Sequence, residues 1–302
     1  MLRPLPERSE SGGAPASGDR PGSTRSGRTP SPGTAGLFLM TVAVAYVVGG
    51  AALQAAFGPW GLAAAEGLLL LVPAALLAFV GPFDPRAVLL WRAPSARALA
   101  GSALLIAGAL PAAWLLAWIQ SVIAPSRMVG LERLERLVIP GSAGGLVAVV
   151  FVFAVVPAVC EEAVFRGVLL SSTARWRPWR AILLNGLVFG LFHLLSGLPI
   201  RFLPTAWLGV AIAWAVRTTG TLAAGVLMHF LNNAVVVLSV AVPPLGQGAP
   251  EPSGAHPVWW VAAAAVGLWS GARVLGSLRS YEAREDAFPR DGKEDPEQRD
   301  AS

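Results

Sequence analysis

The sequence predicts an all-α fold, a polytopic transmembrane helix bundle of about eight helices. Three observations carry that expectation. Of 302 residues, 54% are hydrophobic and only 14% charged, whereas a soluble globular domain carries about 25% charged residues. Several apolar runs exceed the roughly 18 residues that read as a spanning helix. The arginines, finally, sit in short segments between those runs, as loop charges do in membrane proteins.

Met1 to Thr34 is rich in Pro, Gly, Ser and Arg and has no apolar face; residues 1–34 are expected to be a disordered cytoplasmic tail. The run that follows is too long and too late for a cleavable signal peptide. Residues 36–276 then form the bundle. Its spans are expected at Gly36 to Phe57, Gly61 to Val80, Leu99 to Ile123, Ala143 to about Ser171, Ala181 to Leu195, Phe202 to Val216, Leu222 to Val242 and Val258 to Leu275. Between the third and fourth, Ser126 to Ile139 spaces Met128, Leu131, Leu134, Leu137 and Val138 at helical intervals beside Glu132, Arg133, Glu135 and Arg136. That pattern predicts an amphipathic helix lying on the membrane surface rather than a span. Residues 279–302, charged at both signs, read as a second disordered tail.

Charge placement orients the spans. With the N-terminus cytoplasmic, the inside segments hold Arg86, Arg92, Arg97, Arg175, Arg177, Arg180, Arg217 and both tails, leaving Arg127, Arg133, Arg136 and Arg201 outside. The expected location is thus the cell membrane, multi-pass, with both termini cytoplasmic. The formal net charge of +5 reflects these loops rather than a basic face, so nucleic acid is not an expected partner; the lipid bilayer is. Scarce lysine beside abundant Arg, Ala and Gly suggests a high-GC, bacterial genome. One cysteine, Cys160, excludes an intrachain disulfide and a cysteine-based zinc site.

Ionisable residues inside the bilayer cost about 2.5–3.5 kcal/mol each and are functional candidates by default. The fourth span contains Glu161-Glu162-Ala163-Val164-Phe165-Arg166. Glu162 and Arg166 are four apart and share a helix face, as an ion pair requires. Glu161 lies about 100° around the helix from Glu162, without a partner in its own helix, and suits a general base. In the fifth span Phe189 and His193 share a face, so the ring can wall the pocket into which the imidazole points. In the seventh, His229 and Asn233 do the same, while Asn232 points elsewhere. Each set alone fits an inert packing cluster or interhelical hydrogen bonding. Three spans that together hold two of the chain's three histidines fit better as one buried, partly hydrated cavity.

Taken in order, Glu161-Glu162-x-x-x-Arg166, Phe189-x-x-x-His193 and His229-x-x-x-Asn233 resemble the three motifs of the CAAX prenyl protease and bacteriocin-processing family, also called type II CAAX proteases or Abi proteins. The resemblance covers about Gly141 to Leu238, within a catalytic core at about 141–238. It implies an eight-helix intramembrane endopeptidase acting on a peptide or lipidated peptide. It further implies that Glu161 activates the attacking water with His193 as partner, that His229 and Asn233 stabilise the oxyanion, and that Glu162 and Arg166 support them. His256 matches no motif. The family is often called a metalloprotease, and Glu161, His193 and His229 could supply the ligands of one divalent metal, zinc, leaving a position for water. A metal-free glutamate-activated water fits the same residues. Two other classes stay open: a non-catalytic immunity or binding protein on the same scaffold, and a proton-coupled small transporter. The lack of a repeat or of matching halves argues against the transporter.

Overall fold

The structure, a computed structural model, describes residues 27–123, 143–195, 201–241 and 257–287. Nine helices run through them: α1 Pro32–Phe57, α2 Pro59–Phe79, α3 Pro85–Val88, α4 Ala96–Ile123, α5 at 143–172, α6 Pro178–Leu194, α7 Phe202–Thr219, α8 Leu222–Ala241 and α9 Pro257–Ala287. The fold is all-α. By length and composition, α1, α2, α4, α5 and α8 can each cross a membrane; α6 is apolar but only 17 residues long. The chain is a multi-pass membrane protein. The surface helix expected at Ser126 to Ile139, His256, residues 1–26 and residues 288–302 lie outside the described residues.

Local chemistry explains where the helix ends depart from expectation. α1 begins at Pro32 rather than Gly36 because Ser31 caps it, its Oγ accepting the Thr34 N–H at 3.1 Å. Proline at the first helical position needs no N–H partner. Gly58, at φ 57, then turns the chain directly into α2. α9 runs on to Ala287 instead of ending near Leu275. Polarity does not stop a helix, and between Gly276 and Ala287 there is no proline to break it.

α2 and α5 are wound unevenly. Wider π-helical turns occupy Glu66–Leu71 in α2 and Phe151–Val155 and Ala163–Leu169 in α5. Two of them immediately precede Pro73 and Pro157. A proline has no N–H to give the carbonyl four residues back and crowds it, and a widened turn relieves both effects. The third has no proline. There Asn185 of α6 donates its side-chain N–H to the Phe165 carbonyl at 2.6 Å, satisfying a backbone group loosened by the π turn.

Small residues let the helices close on one another. A Cβ on Gly209 of α7 would lie 2.9 Å from Gly186 Cα of α6, so these two helices touch backbone to backbone, as glycine interfaces in membranes do. Two apolar clusters fill the bundle. One joins α4, α7 and α8 through Ile106, Ile212 and Met228. The other joins α1, α2, α5 and α6 through Val42, Leu70, Val164, Phe165 and Phe189. The polar residues of α5 lie beside the second cluster, where α8 crosses it.

Candidate active site

Glu162 anchors the arrangement. Its side chain and that of Arg166 are both 0% exposed, and Arg166 NH1 donates to Glu162 Oε1 at 2.7 Å. Arg166 NH2 also reaches the Gly209 carbonyl at 3.1 Å, and the guanidinium rests 4.4 Å from the Phe189 ring centroid. A buried ion pair offsets its desolvation best when further contacts support it; the carbonyl and the ring do so, while Arg166 Nε and Glu162 Oε2 find no hydrogen-bond partner among the described residues. The pairing read from the i, i+4 spacing is present.

The same Glu162 Oε1 lies 3.0 Å from His229 Nδ1, a link between residues 67 positions apart that no spacing could reveal. Gly225, one turn earlier on α8, leaves the room: a Cβ there would lie 2.5 Å from Glu162 Oε2. His193 is fixed differently, with Nδ1 2.9 Å from the Phe189 carbonyl. Phe189 packs edge-on against both imidazoles, its centroid 4.6 Å from that of His193 and 5.6 Å from that of His229. One ring thus walls both histidines and the guanidinium.

Both Nε2 atoms therefore turn toward Glu161. His193 Nε2 stands 3.9 Å and His229 Nε2 4.0 Å from Glu161 Oε2. Glu161 is 7% exposed, and its Oε2 accepts no hydrogen bond from the described residues. These gaps are too long for direct hydrogen bonds and suit an intervening water. Glu161, Glu162, Arg166, Phe189, His193 and His229 thus come together as expected. Asn233 sits one turn beyond His229 on α8, half-buried, where its Oδ1 accepts from Asn232 Nδ2 at 2.8 Å. Asn232, expected to point elsewhere, is its immediate partner.

Zinc fits this donor set in type but not in spacing. Ligands at about 2.05 Å on a tetrahedron stand roughly 3.4 Å apart, less than the 3.9 and 4.0 Å measured here. Among the described residues no group of three or more His, Cys, Asp or Glu is arranged to hold a metal.

The sequence reading passed over Glu66 of α2. It is 2% exposed, and Tyr46 of α1 donates its hydroxyl to Glu66 Oε1 at 2.7 Å. Its signal was present, since a carboxylate inside a span is a functional candidate. Its partner, 20 residues back on another helix, was not readable.

Residues 143–235 match the family model for the type II CAAX prenyl endopeptidase Rce1-like family. No match was found among the curated proteins or among the solved structures. The matched stretch carries all three motifs. It forms an Rce1-like type II CAAX prenyl endopeptidase domain, and a domain of that family implies a peptide-bond hydrolase.

Proposed function

We propose that the protein is an intramembrane endopeptidase in which Glu161 and His193 activate a water that attacks a peptide carbonyl in or near the bilayer. The observation that carries this reading is the pair of 3.9 and 4.0 Å gaps around the unpartnered Glu161 Oε2. Each gap is one bridging water wide.

Hydrogen-bond arithmetic assigns the roles. A bond to the Phe189 carbonyl makes His193 Nδ1 the donor, so in the neutral ring Nε2 is an acceptor. The ion-paired Glu162 likewise accepts a hydrogen bond from His229 Nδ1–H. Three acceptors then face one place, Glu161 Oε2 and two Nε2 atoms, while a water has two protons to give. Water donating to Glu161 and His193 leaves His229, which can contribute a donor only as the imidazolium, the carboxylates of Glu161 and Glu162 together balancing its charge and that of Arg166. In that state its Nε2–H, helped by the Asn233 amide, stabilises the oxyanion.

The atoms balance simply. The water oxygen bonds to the carbonyl carbon as its proton passes to Glu161. Collapse of the tetrahedral intermediate breaks the C–N bond, and the leaving amine takes that proton. The family match supports a peptide substrate, and its name points to prenylated C-terminal segments. The arginine distribution favours cytoplasmic termini. Cleavage of internally quenched peptides, with and without a prenylated cysteine, tests the reading with protein in nanodiscs. Wild-type cleavage that Glu161→Gln abolishes is the expected result. Cleavage that survives Glu161→Gln would overturn it.

A further inference from the structure

A hydrolase surrounded by lipid must bring in one water per turnover, and apolar helices enclose Glu161. One polar seam breaks that enclosure. The α2 segment Glu66–Leu71 packs directly on the α5 segment Val156–Glu162. Glu66 Oε2 and Glu161 Oε2 are both buried and accept no hydrogen bond from any described residue. The other Glu66 oxygen is taken by Tyr46, whose ring lies 5.5 Å from Phe192, the residue preceding His193. The apolar cluster of Val42, Leu70, Cys160 and Phe189 packs α1, α2, α5 and α6 together.

Buried polar atoms almost always find a partner, and where protein supplies none, ordered water does. A water site needs two to four polar contacts. Glu66 Oε2 and the free lone pair of the Tyr46 hydroxyl supply two, and the seam leads on to Glu161. We propose that Tyr46 and Glu66 form a water-binding station between α1, α2 and α5 that feeds the Glu161 centre. It rests on the reading that Glu161 activates water. Glu66 is then a positioning residue acting through bound water: its hydrogen-bonding capacity matters and its charge does not.

The experiment pairs hydroxyl-radical footprinting with kinetics on full-length protein in nanodiscs, using a quenched peptide that the wild type cleaves. Radicals born from bound water label the nearest side chains. Tyr46 should be labelled in the wild type and in Glu66→Gln, and lose most of that label in Glu66→Leu. Glu66→Leu should lower kcat about tenfold with KM little changed, the effect of losing one well-held water, while Glu66→Gln restores it. An unlabelled Tyr46 in folded wild type would overturn the inference. So would wild-type kcat in Glu66→Leu, or a Glu66→Gln variant as slow as Glu66→Leu, because charge rather than hydration would then be at stake. Should Glu66→Leu fail to fold, Tyr46→Phe replaces it, since it keeps the ring on Phe192 and removes the hydroxyl. A control separates the two levels: activity in Glu161→Gln sinks the catalytic reading, whereas an inactive Glu161→Gln beside an unaffected Glu66→Leu sinks only the water station.

Discussion

Glu162 Oε1 holds His229 Nδ1 at 3.0 Å while it also receives Arg166 at 2.7 Å, so one carboxylate oxygen fixes both a buried cation and an imidazole on another helix. The oxygen has two jobs, and substitutions can separate them. Glu162→Gln leaves Arg166 as an uncompensated buried charge and should destabilise the protein by about 3–5 kcal/mol. Adding Arg166→Met removes the stranded cation and should recover most of that stability. It should not recover activity, because His229 still lacks its ionised anchor. Thermal denaturation and peptide cleavage on the three variants check both halves.

Glu161→Gln keeps the shape of the side chain and removes the carboxylate. Turnover should fall by about 10²–10⁴-fold, with a melting temperature no lower than wild type. A parallel loss of stability would instead mark Glu161 as structural.

Phe189 touches His193, His229 and Arg166 at once. Truncation to Ala should cost about 3–5 kcal/mol and reduce kcat as well, because both imidazoles lose their wall. Phe189→Leu, which keeps bulk without the ring face, should regain more stability than activity. Equal recovery of the two would show that the aromatic face has no part in holding the rings.

Gly225 gives a test without removing any polar group. In Gly225→Ala the new Cβ would lie 2.5 Å from Glu162 Oε2 and 2.7 Å from Val216 Cγ2, so either Glu162 or α7 must shift. Activity should fall at least tenfold, since small displacements of a catalytic constellation are costly. Wild-type kcat in this variant would mean the α7–α8 contact yields freely.

Metal dependence follows from spacing. Because the 3.9 and 4.0 Å gaps are wider than a zinc site, activity should survive exhaustive dialysis against a chelator. Loss of activity that added zinc restores would show that the three side chains close around the ion.

The sequence disclosed those parts of the site that lie within single helices. Glu162 and Arg166, Phe189 and His193, and His229 and Asn233 all sit at i, i+4, where helical geometry alone places them on one face. What joins the helices was not legible. The His229–Glu162 bond spans 67 residues and the Asn185–Phe165 bond 20, and both depend on how α5, α6 and α8 cross. The π turns were hidden too, although Pro73 and Pro157 mark two of them. Helix positions were legible because hydrophobic length is local, and five of the eight expected spans are helices long and apolar enough to cross a membrane. The start of α1 was read late because Ser31-Pro32, a capping signal, sat inside a stretch whose composition looked unstructured.

The Glu162–Arg166 pair bears on how the protein is made. Each charge alone costs about 2.5–3.5 kcal/mol to place in the bilayer. Their partners on α7 and α8, Gly209 and His229, are synthesised well after α5. Because the two charges stand four residues apart on one helix, they can neutralise each other while α5 is still leaving the translocon. That pair can then enter lipid as a neutral unit before the rest of the bundle exists, leaving Glu161 as the only other carboxylic acid of α5 to be accommodated.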